Sequence, residues 1–211
     1  MKLILLLLGL FSSLTVFSQT SLITTTEITS DKSTSVHSAS ATANPNSSSV
    51  LVGRYAPRAT GDPYTTYRTL VEFSTSIPSN AIITSAKLKM YISTTSGTPT
   101  IYAARLSAPW SESTAIWANQ PAYETSDIIT TSSIVSNWLT FDVTSHVQKM
   151  NANVYTNNGW ILYLSNETQT LAVNRSFATD DALTTTQIPK LEVTYYIPMS
   201  VSSVEINHQS A

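Results

Sequence analysis

Apolar and polar residues alternate with period two over most of the chain. In "AKLKMYIS", Leu88, Met90 and Ile92 share one face, and Lys87, Lys89 and Tyr91 share the other. "KLEVTYY" repeats the pattern, with Leu191, Val193 and Tyr195 set against Lys190, Glu192 and Thr194. Such alternation predicts strands with one face on a core and one in water, the habit of antiparallel sheets. Further strands are predicted over 50–54, 69–73, 100–106, 138–143, 160–164 and 171–177. Turn-forming "PSN" at 78–80, "SGTP" at 96–99 and "TNNG" at 156–159 separate them. The small polar stretch 34–49 reads as a strand followed by a long ordered loop.

Only "DVTSHVQKM" has helical spacing. Thr144 or Ser145 is its expected N-cap, Val147 and Met150 lie one turn apart, and His146 is expected at the surface or as a cap. The fold class expected is therefore all-β: an antiparallel β-sandwich, a jelly roll, with one short helical turn.

Composition supports sheet over helix. Charged residues make up 11% of the 211 residues, well below the usual share of about 25%. Ser and Thr take their place, and the net charge of −2 offers no basic field for nucleic acid. The opening "MKLILLLLGLFSSLTVFSQ" has a basic Lys2, an apolar run from Ile4 to Leu10 and a cleavage region at Val16-Phe17-Ser18. It predicts a secretory signal peptide over 1–19, since the run is too short for a spanning helix. A domain over 20–197 follows, and 198–211 reads as a linker or the start of a further module. The expected location is secreted, extracellular or cell-surface. With no cysteine, disulfides and thiolate chemistry are excluded, and the core alone or an oxygen-ligated ion must hold the domain.

Catalytic constellations are sparse. The three histidines, His37, His146 and His208, have no zinc spacing, and no G-x-S-x-G elbow occurs. The acids Glu72, Glu112, Glu124, Asp127, Asp142, Asp180 and Asp181 are the material for a glycosidase-like pair. None stands in a distinctive context, so no catalytic residue is assigned. A structural calcium is one cofactor the sequence can accommodate. Its candidate ligands are Asp31, with the loop around Asn44 and Asn46, and Asp180 with Asp181.

The best ligand platform in the sequence is "GRYAPRATGDPYTTYR", 53–68, which gathers Arg54, Tyr55, Arg58, Tyr64, Tyr67 and Arg68. Aromatic rings offer faces to sugar rings, and guanidinium forks suit hydroxyls or carboxylates. Lys87 and Lys89 extend the site if their strand face is adjacent. By contrast, "WSESTAIWANQP", 110–121, reads as a structural corner. There Trp117 is expected to plug the core, Glu112 to cap a turn at 111–113, and Asn119 or Gln120 to satisfy loop backbone groups.

Five segments in order resemble one known family. They are "YRTLVEFSTSIPSNAIITSAKLKMYIS", "WSESTAIWANQP", "WLTFDVTSHVQKM", "NNGWILYL" and "PKLEVTYY". From about residue 25 to 196 they resemble the DNRLRE-type domain of bacterial secreted and surface proteins. The chain departs from that pattern at Glu72, where the family often has Arg, and at Ser74, where it often has Asp. The resemblance implies a non-catalytic jelly-roll accessory module, with some relatives classed as carbohydrate-binding modules for alginate-like polysaccharides. The function expected is thus a secreted, non-catalytic module for polysaccharide, acidic ones included, or for a cell-surface glycan. A structural spacer in an adhesin-like protein is the alternative class, and a polysaccharide lyase or hydrolase stands behind it.

Overall fold

A computed structural model describes residues 21–39, 42, 49–57 and 59–199. The signal segment, Asn44, Asn46, Arg58, His208 and all but the first two residues of 198–211 lie outside the described residues. The strands are β1 (Ile23–Thr29), β2 (Lys32–His37), β3 (Ser49–Tyr55), β4 (Thr65–Glu72), β5 (Ile82–Ser96), β6 (Ile101–Arg105), β7 (Ile129–Val135), β8 (Trp138–Asp142), β9 (Trp160–Leu164), β10 (Val173–Ala178) and β11 (Lys190–Tyr196). One α-helix, α1 (Thr144–Asn151), and two 3-10 turns complete the described elements. No helix among the described residues is long and apolar enough to cross a membrane.

Every strand pairing among the described residues is antiparallel, as the alternation predicts. The expected two-sheet sandwich is replaced by a closed barrel. Hydrogen bonding runs β5-β10-β3-β4-β9-β6-β7-β8 and returns to β5, a ring of eight strands. Two corner strands close it. The 15 residues of β5 pair with β8 through Lys87–Tyr91 and with β10 through Ile92–Ser96. Strand β7 begins on β6 and continues on β8, with a register shift between Thr131 and Ser133. A strand that changes neighbours at a bulge turns the sheet without breaking its ladder. Strands β11 and then β1 extend from β5, and β2 pairs with β4.

The interior is filled by the residues the alternation selects, among them Leu88, Met90, Leu191 and Val193, with Phe73, Phe141, Trp160 and Phe177. The β4, β9 and β6 wall is different, because it is apolar on both faces. Val71, Leu162 and Ala103 point into the barrel. Their neighbours Leu70, Ile161 and Ala104 join a second cluster with Val36, Leu106 and Ala115. This explains why adjacent residues Leu70–Val71 and Ile161–Leu162 are apolar together instead of alternating: both faces are covered. The outer cover is the segment 107–128, whose Trp110, Trp117, Tyr123 and Ile128 pack on that second cluster.

Helix α1 starts as predicted by position but not by cap. Val143 holds the N-cap position without a side-chain cap, and the Asp142 carboxylate accepts the Thr144 N–H at 3.1 Å. His146, expected at the surface, is only 2% exposed. Its Nδ1 accepts the Trp160 indole N–H at 3.1 Å, and its Nε2 lies 3.0 Å from the Asp127 carbonyl oxygen. A histidine whose two nitrogens both find partners is a staple of the interior, which helical periodicity cannot reveal.

Candidate functional site

The wall of β4, β9 and β6 carries its polar chemistry beside its outer apolar cluster. Tyr102 on β6 and Tyr163 on β9 are register partners, with ring centroids 5.8 Å apart. Tyr123, from the covering segment, approaches Tyr163 at 5.5 Å. Arg68 on β4 is the hub of this group. Its guanidinium lies 4.8 Å from the Trp117 ring and 5.8 Å from each of Tyr123 and Tyr163.

The fork of Arg68 is held from two sides. Nε and Nη2 donate to the two Glu167 oxygens at 2.8 and 2.5 Å, and Nη1 donates to Gln120 Oε1 at 2.8 Å. Gln120 in turn donates to the Trp117 carbonyl at 3.2 Å, locking the 3-10 turn Trp117–Asn119 against the arginine. Burial works against the Arg68 charge, but the hydrogen bonds and charge of Glu167 outweigh it and raise its pKa. Burial, reinforced by Tyr123 and Glu167, pushes the Tyr163 hydroxyl up to about 12, so it stays a protonated donor. The result is a half-buried set of ring faces edged by a guanidinium, a carboxylate, an amide and phenols. That inventory suits hydroxyl-rich ligands with an apolar ring face.

The structure sorts the loop candidates into separate tasks. Arg54 donates to the Glu167 carbonyl and lies 4.6 Å from the Tyr64 ring, and Tyr64 donates to the Thr170 carbonyl. Arg54, Tyr64 and Arg68 thus clamp the segment 167–170. Tyr55 and Tyr67 meet edge to face at 5.1 Å, and Tyr67 stacks on His37 at 4.9 Å. Together with Asp62 they line a groove of about 560 Å³. Lys87 and Lys89 do not extend either group. They project from β5, three strands round the ring from β4, and form ion pairs with Glu192 at 3.9 and 3.1 Å.

Asp31 accepts the Ser74 N–H and does not join the group formed by the other acids proposed for a cation. Asp180 and Asp181 instead converge with Glu112, one oxygen of each lying within 4.8 Å of the others. Ser33 ties two of them down, donating its N–H to Glu112 at 2.9 Å and its hydroxyl to Asp180 at 2.5 Å. Burial raises the pKa of both Glu112 and Asp180, and neighbouring carboxylate charge adds to it. With one oxygen from each, the three carboxylates supply three of the six to eight oxygens that calcium takes, leaving the rest to their second oxygens, carbonyls or water.

The stretch 110–121 changes meaning. Trp117 does not plug the interior; it lies half-buried over Arg68 on the outside of the wall. Glu112, expected to cap its own turn, reaches across to accept the Ser33 N–H. Asn119 does satisfy the loop, accepting the Ile116 N–H at 2.8 Å and donating to the Thr114 carbonyl at 3.2 Å. Sequence reasoning missed Tyr102, Tyr123, Tyr163, Gln120 and Glu167. The period-two pattern does put Tyr163 on the face of Ile161, but nothing local says that this face is the outer one.

Residues 24–195 match the sequence model of carbohydrate-binding module family 96. The match carries the carbohydrate-binding half of the family resemblance, while the DNRLRE-type name is not part of it. No curated protein matches the chain.

Proposed function

The chain belongs to carbohydrate-binding module family 96, and from that premise we propose that it is a secreted, non-catalytic module that binds polysaccharide on the Arg68 platform. One observation carries the assignment to this wall: three aromatic rings, Trp117, Tyr123 and Tyr163, gather within 6 Å of one guanidinium. A pyranose presents axial C–H groups that pack on such faces, while its hydroxyls take up the edge donors and acceptors. The leader at 1–19 supports export. No nucleophile, base or oxyanion donor is required of this arrangement.

Charge refines the ligand. Glu167 already occupies the Arg68 fork, so a sugar carboxylate would have to displace it, whereas hydroxyls add to the pair without breaking it. The platform therefore favours uncharged sugars over acidic ones.

Affinity electrophoresis of the purified protein in neutral and acidic polysaccharide gels tests this. Trp117→Ala and Tyr163→Ala are each expected to weaken retardation at least about tenfold, the usual scale for a central aromatic contact. Glu167→Gln releases the fork and should shift preference toward polyuronates. Wild-type retention by no polysaccharide would leave a structural spacer as the function. Release of unsaturated or reducing ends would make the protein a lyase or hydrolase.

A further inference from the structure

A second ring platform lies on the wall formed by β5, β8, β11 and β1. Register places Lys87 beside Glu192 and Asp142, Lys89 beside Lys190 and Thr140, and Tyr91 beside Trp138. The residues between them, Leu88, Met90, Leu139, Phe141 and Leu191, all enter the core. The polar set therefore shares the outer face.

Trp138 is fixed there by its local chain. It follows Ser136 and Asn137, both at positive φ (49° and 66°), a two-residue turn whose twist suits a tight hairpin. The Asn137 carbonyl accepts the Ile92 N–H at 2.8 Å, pinning the turn to β5. Tyr91 meets the indole edge to face at 5.3 Å. The ammoniums of Lys89 and Lys190 stand 5.8 and 5.6 Å from the indole. A groove of about 490 Å³ runs past the ring, lined also by Lys87, Thr140, Asp142 and Glu192.

The charges on this face cancel. Lys190 pairs with Glu27 at 2.9 Å and Lys89 with Glu192 at 3.1 Å, while Lys87 lies between Glu192 and Asp142. Three ammoniums thus face three carboxylates. An anionic ligand would meet Glu192, Glu27 and Asp142, and a cationic one the lysines. A hydroxyl, which both donates and accepts, suits a lattice of mixed sign.

We propose that the Trp138 groove is a second binding site, for an uncharged polysaccharide chain, so that one molecule engages two chains. The indole supplies the ring platform, and Lys89, Lys87 and Glu192 supply the hydroxyl partners. The site goes beyond the Arg68 reading and does not depend on it, because β5 and β4 belong to different stretches of the ring. Two sites on one rigid barrel make the protein a cross-linker, which raises avidity without any new contact.

The test uses the full chain with galactomannan, xyloglucan, hydroxyethylcellulose and starch, read by affinity electrophoresis and by turbidity of polysaccharide solutions. Added to a Trp117→Ala/Tyr163→Ala variant, which should still bind through the groove, Trp138→Ala is expected to lose about tenfold in affinity. Trp138→Phe should keep most of that affinity. Turbidity, which needs both sites, should vanish in either variant. Unchanged melting temperatures separate lost contacts from lost folding, and Lys89→Ala gives an independent reading of the groove. Unchanged affinity when either Trp138→Ala or Lys89→Ala is added to the Trp117→Ala/Tyr163→Ala variant would overturn the second site. So would complete loss of binding in the Trp117→Ala/Tyr163→Ala variant, which leaves the Arg68 reading standing. Binding that depends on Trp138 alone would overturn the Arg68 reading and keep this one. Failure of the wild type to bind any of the four would overturn the groove, whatever acidic polysaccharides do at Arg68.

Discussion

Gly159→Ala is expected to prevent the domain from folding, or to lower its melting temperature by at least about 10 °C, a loss of several kcal/mol for a chain this size. Gly159 sits at φ +79°, and a Cβ there would run into the Val71 carbonyl oxygen and stand 2.8 Å from Glu72 Cα. Both obstacles are backbone of β4, held on its two sides by β9 and β2, so neither can retreat. The left-handed conformation alone costs about 1–2 kcal/mol in a non-glycine residue, and forcing an atom into packed space costs about 1–3 kcal/mol more. Gly61 supplies the control. Its φ is +97°, yet among the described residues, its chain neighbours aside, nothing lies within 4 Å of its absent Cβ. Gly61→Ala should therefore cost only the conformational part, about 1–2 kcal/mol. Thermal melts of the two variants check the contrast, and a Gly159→Ala protein melting within a few degrees of wild type would refute the clash.

Acid should weaken the fold through His146. The indole N–H of Trp160 can only donate, so His146 Nδ1 must hold a lone pair, and the proton of the neutral ring sits on Nε2 facing Asp127. Burial pushes the His146 pKa down; Asp127 pulls it up, and Arg105 and Lys149 push it down further. The net direction is down. A proton on Nδ1 would set two donors against each other inside the core. The unfolded chain accepts that proton below about pH 6.5 and the folded chain refuses it, so stability falls as pH drops through this window. The slope is about 1.4 kcal/mol per pH unit until the folded pKa is reached.

His146→Asn keeps an acceptor for the indole and does not titrate. Burial lowers the His37 pKa too, adding acid sensitivity, while the raised Glu112 and Asp180 values act in the opposite sense. All three remain in the variant, so the wild-type minus variant difference isolates His146. Melting temperatures from pH 7.5 to 5 should show the wild type losing more than His146→Asn. Parallel curves would rule out the buried neutral ring.

Strands that alternate were legible because one face meets water, as for Leu88, Met90, Leu191 and Val193. The seven-residue β7, "ITTSSIV", was not predicted, since its Thr and Ser resemble loop residues and its place is set by β8. Barrel closure was equally hidden. Nothing within residues 82–96 says that the two halves of β5 serve different neighbours. The candidate site failed to show for a related reason. Arg54 and Arg68 cluster in sequence, but the carboxylate that meets Arg68 comes from Glu167, 99 residues away. A guanidinium counted without its partner looks available when it is spent. Trp117 looked like core filling because an interior is the usual home of an indole, and only the doubly apolar wall gives it an outer one.

The pairing of β1 with β11 has a mechanical consequence. Ile23, at the start of β1, lies opposite Tyr196, at the end of β11, so the chain enters and leaves the domain side by side. Tension between those two points acts across the ladder, parallel to its hydrogen bonds. It opens them in succession from that end, as a zipper opens, until it reaches the Thr25–Thr194 hydroxyl contact and the Glu27–Lys190 ion pair. The closed ring bears none of that load at first. An anchored molecule under drag would lengthen by peeling a single strand while the wall of β4, β9 and β6 keeps its shape.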